Sequence, residues 1–172
     1  MRNGFSTSAC AAAAAAAGIQ NLLIGQPVTS VVIDLPAIRD VRFEVVRCER
    51  QGEGVLCGVI KDAGDDPDVT NGLEIQALVE YNPEPGLTLL GGRGVGVVTL
   101  PGLPVAVGEP AINPGPRRLI RKVFQDTLKS FEATTSLGLR VTIIVPEGEQ
   151  VALQTMNPKL GIRGGISILG TD

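Results

Sequence analysis

The chain has 172 residues, enough for one domain with a continuous core that needs no disulfide or structural metal. Its formal net charge is −3 and its aromatic fraction is only 3%, so nucleic acid is not an expected partner. The absence of histidine excludes His-ligated metal sites and Ser-His-Asp or Cys-His nucleophiles. Cys10, Cys48 and Cys57 form no CxxC pair and are expected to be packing residues. With no signal-peptide pattern, the sequence predicts a protein of the reducing cytoplasm.

The first predicted element is a short helix over Ala9–Ala17, capped by Thr7 or Ser8 and ended by a left-handed Gly18. The alanine run at 11–17 is too short and too weakly apolar to cross a membrane, which takes about 20 apolar residues. Runs of β-branched residues then predict several strands. These cover Val28–Leu35, Val41–Arg50, Val55–Lys61 and Leu73–Tyr81, followed by short strands interrupted by glycine and proline across Leu87–Val107.

The second half of the chain mixes helices and strands. Asn113 and the proline after it begin a clear amphipathic helix. A strand over Arg140–Val145, a short helix over Glu147–Met156 and a last strand over Gly165–Leu169 follow. Strands with interspersed helices, without regular βαβ alternation, predict an α+β fold: a two-layer mixed sheet with packed helices, in a single domain over residues 1–172.

An acidic loop, Lys61–Gly72, follows a buried strand directly and contains four aspartates: Asp62, Asp65, Asp66 and Asp68. One interpretation is a solvated turn in which the aspartates cap backbone amides. The other is a site, because carboxylates at a strand end bind ribose hydroxyls, a cationic sulfonium or a divalent metal, or act as an acid/base pair. The spacing does not fit an EF-hand, and no metal site is predicted.

A glycine-rich tract, Gly91–Thr99, follows an apolar strand but matches the dinucleotide-binding fingerprint poorly. The third fingerprint position is Val97, and no helix follows. The tract is either a tight turn or bulge, or a segment whose backbone amides approach a ligand, with Arg93 adding an anion contact.

Positive charge is concentrated in the first two turns of the helix after Asn113, where the helix dipole prefers acids. This basic face is either solvated or binds an anion with help from free N-terminal amides, and a polycarboxylated ligand fits the second interpretation. The residues are Arg117, Arg118, Arg121 and Lys122.

Taken together, these segments resemble the cobalt-precorrin-5B C1-methyltransferase family. The opening Gly4–Cys10 is similar to the family's aromatic-Thr-Thr-Gly-Thr-Cys-Ala start, and Lys61–Gly72 nearly repeats its KDAGDDPDVTHG signature. Similar motifs follow in the same order at Gly91–Thr99, Pro101–Pro104, Val107–Pro114, Val145-Pro146, Asn157-Pro158, Leu160–Ile162 and Gly164–Thr171. The departures are Asn71 for the usual His, Leu100 for the usual Lys, and Ser8-Ala9 for Gly-Thr.

The resemblance implies the N-terminal domain of the family, with the usual C-terminal Rossmann-like domain absent. It implies methylation at C1 of cobalt-precorrin-5B in anaerobic cobalamin biosynthesis, with S-adenosylmethionine as methyl donor, by a fragment or half of a split enzyme. Two alternatives stay open: a non-catalytic corrinoid-binding domain, favoured by Asn71 and Leu100, and a repurposed enzyme of different chemistry. Whether the chain is itself an enzyme is therefore open. Expected partners are a corrinoid or other polycarboxylated small molecule, and a separate C-terminal-type subunit or a second copy.

The resemblance also implies two sets of site residues. The aspartates of the acidic loop, with Lys61, are expected to orient a ligand or manage a proton, and the glycines to allow close approach. The catalytic set is Lys61, Asp62, Asp65, Asp66 and Asp68. The binding set is Thr7, Thr70, Asn71, Gly91, Gly92, Arg93, Gly94, Gly96, Thr99, Glu109, Asn113, Arg117 and Asn157.

Overall fold

The alanine-rich segment forms a longer helix than the sequence predicts. In the computed structural model, which describes residues 2–134 and 136–170, α1 spans Thr7–Ile24. The Ser6 hydroxyl caps it by accepting a hydrogen bond from the Ala9 N–H (3.1 Å), and Gly25 ends it with φ +74°. The prediction that Thr7 or Ser8 caps this helix is therefore wrong, because both lie within its first turn.

Gly18 lies inside α1, not at its end. A Cβ atom added there would come within 2.4 Å of Val79 Cγ2 on the sheet. Close packing of helix on sheet is what requires glycine here, so the predicted helix end at Gly18 is wrong. α1 has the length and mean hydropathy (1.4) of a membrane span, but 78% of it is buried inside the domain, as in a core helix.

The rest of the described residues contain three further helices and eleven strands. The helices are α2 (Pro114–Ser130), α3 (Gly148–Ala152) and α4 (Asn157–Leu160). The strands are β1 (Ser30–Ile33), β2 (Val41–Glu44), β3 (Arg47–Gln51), β4 (Gly54–Ile60), β5 (Glu74–Tyr81), β6 (Gly86–Gly91), β7 (Gly94–Val95), β8 (Val97–Val98), β9 (Gly138–Ile144), β10 (Ile162–Arg163) and β11 (Gly165–Ile166).

The core lies between a five-stranded sheet and two helices. The sheet has the order β3-β4-β5-β9-β6, in which only β6 and β9 pair in parallel. α1 packs on β4 and β5, and α2 packs on α1 and β6. Alternate residues of β4, Val55, Cys57 and Val59, are almost fully buried in this core. The structure thus confirms the predicted α+β fold with a mixed sheet and packed helices.

Two predicted elements are each divided in the structure. The predicted strand Val41–Arg50 is two strands, because β2 pairs with β1 whereas β3 pairs with β4. The predicted helix Glu147–Met156 ends at Ala152, and a second short helix, α4, begins at Asn157. The Thr155 hydroxyl accepts a hydrogen bond from the Asn157 N–H (3.1 Å), which starts the new helix.

Short strand pairs bring distant segments together beside the sheet. β7 pairs with β11, and β8 pairs with β10, so the glycine-rich tract lies against residues near the end of the described chain. These pairs are shorter than predicted: the strands after Leu87 end at Val98, and the last strand ends at Ile166. Asn3 forms a bridge with Gly64 of the acidic loop. The start of the chain, the acidic loop and the last described segment therefore meet at one end of α1.

Candidate functional site

A cavity of about 420 Å³ lies where the acidic loop meets the N-terminus of α1. Its wall combines residues from the start of α1, the acidic loop, α4 and the last described segment. The predicted site residues among them are Thr7, Lys61, Asp66, Asp68, Thr70 and Asn157. The structure therefore brings together six of the residues that the sequence proposes for one site.

Lys61 is a buried ammonium directly after β4, with only 6% of its surface exposed. Its Nζ donates to Asp68 Oδ2 (3.0 Å) and to Thr70 Oγ1 (2.7 Å). Because an ammonium has three donors, one N–H has no partner among residues 2–134 and 136–170. A buried cation with a spare donor in a cavity wall is suited to hold an anionic group of a ligand.

Asp68 is held in its charged form. Partial desolvation opposes ionisation, but the Thr70 hydroxyl (2.6 Å) and amide (2.8 Å) both donate to Oδ1, and the Lys61 ammonium pairs with Oδ2. The balance lowers the pKa of Asp68 below its ordinary value. An acid this well neutralised positions Lys61 and is poorly suited to act as a proton acceptor.

Two other aspartates of the loop are bound by the start of the chain. The Arg2 guanidinium donates to Asp62 Oδ2 (2.5 Å), and the Arg2 backbone N–H donates to Asp65. The Arg2 hydrogen bond and the Gly64 amide together lower the pKa of Asp62. Neither aspartate lines the cavity, so they order the loop, and their predicted catalytic role stays a prediction.

Asp66 is different from its neighbours. It lines the cavity and is exposed, and within the described ranges it makes no ion pair or hydrogen bond. It is therefore the carboxylate of the acidic loop that is available to a ligand, and it can stabilise a cation such as a sulfonium or an ammonium.

Two of the three asparagines in the predicted binding set, Asn71 and Asn157, have structural partners. Asn71 Oδ1 accepts from the Ala63 N–H (2.8 Å), an acceptor role that a histidine nitrogen can also fill. Asn157 is buried, and its Nδ2 donates to the Gly165 carbonyl and to the Ser167 hydroxyl (3.1 Å each). Asn157 and Ser167 both line the cavity, whereas Asn71 supports the loop from behind.

The glycine-rich tract packs against protein. A Cβ atom on Gly94 would lie 1.7 Å from the Val145 carbonyl oxygen, and one on Gly96 would lie 2.4 Å from Ile162 Cγ2. Pro110 and Thr142 occupy the corresponding space at Gly91 and Gly92. The close approach that these glycines permit is thus between chain segments, and their predicted ligand contacts stay predictions.

The remaining predicted binding residues lie outside this cavity. Arg93 and Glu109 are exposed, and Thr99 donates its hydroxyl hydrogen to the Gly161 carbonyl. Asn113 begins α2 without a side-chain cap. The Arg117 guanidinium donates to the carbonyls of Ile112 (2.6 Å) and Pro110 (3.0 Å), so it secures the loop before α2.

Sequence reasoning missed part of the cavity wall. Thr155, Ser167 and Gly170 line the cavity beside the acidic loop although about 100 residues separate them from it in sequence. Hydrogen bonds between Thr7 and Leu169 place this last segment: the Thr7 hydroxyl donates to the Leu169 carbonyl and accepts from its N–H (3.0 Å each). Pairing over such a distance has no local sequence signal. Within the described residues, no group of three acidic, Cys or His side chains is placed to bind a metal.

The fold and the cavity define an α+β domain with a polar site of small-molecule size, formed around a buried lysine. A family model described as CbiD matches residues 1–172. The chain is 53% identical over 171 residues to a cobalt-precorrin-5B C(1)-methyltransferase of Salinispora arenicola, and 55% identical over 170 residues to one of Thermus thermophilus. Each of the two matches covers 99% of this chain but only 44% of the relative.

A solved structure agrees with the sequence matches. The crystal structure of a cobalamin biosynthesis protein (cbiD) from Archaeoglobus fulgidus has a TM-score of 0.75 and 37% identity, over 99% of this chain and 52% of that one. The chain therefore belongs to the CbiD family, which confirms the resemblance seen in its motifs. It spans less than half the length of these curated relatives.

Proposed function

We propose that this chain takes part in methylation at C1 of cobalt-precorrin-5B, as the part of the methyltransferase that holds the methyl donor. Relatives that match almost the whole chain are named for that reaction. The observation that carries the proposal is the cavity at the acidic loop, which combines a buried cation with a spare donor and a carboxylate that has no partner in the described part of the chain.

The residues of the cavity fit S-adenosylmethionine as the donor. Its volume of about 420 Å³ lies in the range of small-molecule sites, roughly 300–1,000 Å³. Asp66 would face the cationic part of the ligand, and Lys61 its carboxylate. Asn157 and the hydroxyls of Thr7 and Thr70 supply polar contacts for the remaining groups. S-adenosylmethionine, when bound, supplies an electrophilic methyl group.

A corrin macrocycle with its acid side chains is larger than this cavity, so we place it on the open surface outside. The part played by the chain is then to orient the donor and to exclude water from it, which are the main requirements of an in-line displacement. No histidine is needed for this task. Three expectations stay predictions. They are a corrinoid partner, a further protein partner (either a subunit equivalent to the rest of the relatives or a second copy of this chain), and a cytoplasmic location.

Calorimetric titration with S-adenosylmethionine tests the donor site. Asp66→Asn removes one charge next to a cation and should weaken binding about tenfold, because a partly exposed charge pair contributes about 1 kcal/mol or slightly more. Glu53→Gln, which removes an equal charge in the turn before β4, is the matched control and should change nothing. S-adenosylhomocysteine lacks the sulfonium charge and should lose much less affinity in Asp66→Asn.

Two results would contradict the proposal. Equal loss of affinity for both ligands in Asp66→Asn would show that the carboxylate does not face the sulfonium. Absence of any binding of S-adenosylmethionine, together with binding of a cobalt corrinoid, would favour the non-catalytic corrinoid-binding domain. Methyl transfer to cobalt-precorrin-5B by the purified chain, followed by mass spectrometry, then shows whether the chain is active alone.

A further inference from the structure

A second cavity, of about 570 Å³, lies on the other side of the α1 N-terminus, where α2 begins. Its wall contains Ser8 of α1, Gly115 and Arg118 of α2, and Arg39 of the loop after β1. None of these four residues lines the proposed donor cavity. Gly170 lines both cavities, and the consecutive residues Thr7 and Ser8 line one each.

The Ser8 hydroxyl is the clearest sign that this cavity holds a ligand. Ser8 is only 1% exposed, and its Oγ has no hydrogen-bond partner among residues 2–134 and 136–170. A buried hydroxyl without a partner is costly, so buried hydroxyls in native proteins are almost always bonded to protein, to ordered water or to a bound ligand. Its backbone N–H, in contrast, is satisfied by the Leu169 carbonyl (3.0 Å).

The start of α2 adds donors on the same cavity wall. α2 has 17 residues, and its Asn113 side chain makes no capping bond. Pro114 and Pro116 have no N–H, and the Arg117 N–H donates to the Asn113 carbonyl (3.0 Å). The Gly115 N–H is thus the donor left open in this turn, within the described ranges, at the positive end of the helix dipole.

The charge of the cavity favours an anion. Arg39 and Arg118 are exposed at its rim, and neither guanidinium has a partner in the described part of the chain. Lys122 also lines the cavity but pairs with Asp126 (2.6 Å). Among the described residues, Asp34 is the single acidic residue in the wall, and one of its oxygens accepts from the Asp40 N–H (2.8 Å). Two unpaired guanidiniums therefore outweigh one carboxylate.

We propose that this second cavity binds a carboxylate at the end of a short aliphatic chain, through the Ser8 hydroxyl, the Gly115 amide and the Arg118 guanidinium. Leu35, Ile38 and Leu119 form apolar wall suited to methylene groups. Under the function proposed above, on which this assignment rests, the carboxylate belongs to a side arm of the corrinoid. A macrocycle anchored here would lie next to the donor cavity, because Gly170 lines both.

Titration of the ¹⁵N-labelled chain with glutarate tests the site without any corrinoid. We expect saturable shifts of the Ser8 and Gly115 amide signals, with affinity about tenfold weaker in Arg118→Gln, since a charge-assisted hydrogen bond is lost. Arg121→Gln, on the same helix but outside this cavity, is the matched control and should bind as the natural chain does. No shift at these amides, or equal loss in both variants, would overturn the proposal, and so would preference for inorganic phosphate over glutarate.

Ser8→Ala separates binding from folding. Removing an unpartnered buried hydroxyl should leave the Tm unchanged or raise it, while glutarate binding weakens about threefold or more. A fall in Tm of more than about 4 °C would show that the hydroxyl stabilises the fold through a partner of its own, which contradicts the proposal.

Cobyrinic acid and its methyl ester then test the corrinoid assignment. We expect cobyrinic acid to bind and to lose about tenfold in Arg118→Gln, and the fully esterified form to bind weakly and equally to both proteins. If glutarate binds as expected but the affinity for cobyrinic acid is unchanged in Arg118→Gln, the carboxylate site stands and its assignment to the corrinoid is wrong. The donor titration with S-adenosylmethionine is independent of both results, so a failure here is distinguishable from a failure of the proposed function.

Discussion

The Lys61–Asp68 pair predicts an asymmetric response to substitution. The Lys61 side chain is 7% exposed and that of Asp68 is 37% exposed. Asp68→Asn removes the charge that neutralises the buried ammonium, and an uncompensated buried charge costs about 3–5 kcal/mol. Lys61→Met fills the same buried volume with an apolar chain and leaves a carboxylate that is reached by solvent and still bonded to Thr70. We expect that change to cost only about 1 kcal/mol.

The pH dependence follows from the lowered pKa of Asp68. The carboxylate stabilises the fold fully above its ordinary pKa of 3.8, and this contribution is lost as the pH falls through the lower pKa of the folded state. Protonated Asp68 resembles Asn in charge. The stability difference between the natural chain and Asp68→Asn should therefore be largest near neutral pH and should narrow below pH 3.8.

Urea unfolding followed by circular dichroism measures these differences. A double-mutant cycle compares the natural chain with both single variants and the double variant. Asp126→Asn, which breaks the exposed pair of Asp126 with Lys122 on α2, is the control and should lower the free energy of unfolding by less than about 0.5 kcal/mol. If Asp68→Asn proves no more destabilising than Lys61→Met, or if its cost persists unchanged in acid, the buried-cation account of this site is refuted.

Other predictions concern packing and thiol chemistry. Gly94→Ala should destabilise by more than about 2 kcal/mol because its Cβ would overlap a backbone carbonyl, whereas Gly108→Ala, also at positive φ but with open space, should cost about 1 kcal/mol in urea unfolding. Gly18→Ala should destabilise despite the better helix propensity of alanine, and Val79→Ala should rescue it, because the overlap is with that side chain. Burial raises the pKa of the Cys57 thiol, so Cys57 should react with a thiol reagent only at the rate of unfolding.

The sequence predicts where the site lies better than it predicts which of its residues are available to a ligand. An acidic loop directly after a buried strand is visible as a pattern, and the structure places a cavity there. Which carboxylates are available is not visible, because Arg2, 60 or more positions away in the chain, binds Asp62 through its guanidinium and Asp65 through its backbone N–H. Only the folded chain distinguishes Asp66 from its neighbours.

Glycines show the same limit. A glycine signals either a turn or a close approach, but not what approaches. At Gly18 a strand approaches, so the helix continues where local rules end it, and at Gly94 another loop occupies the space proposed for a ligand. The approximate positions of the helices and of the strands in the main sheet could be predicted, because they depend on periodicity within one segment. Contacts between segments far apart in sequence could not.

The N-terminus of α1 explains why two cavities lie side by side. Thr7 bonds both backbone groups of Leu169 and so fixes Gly170 between the cavities. Ser8, one residue further along the helix, lines the other cavity, and its hydroxyl has no hydrogen-bond partner among residues 2–134 and 136–170. Because consecutive helical residues point about 100° apart, one turn of α1 serves both cavities without a loop between them. Under the proposed function, the donor and the corrinoid side arm would lie next to each other across this shared wall.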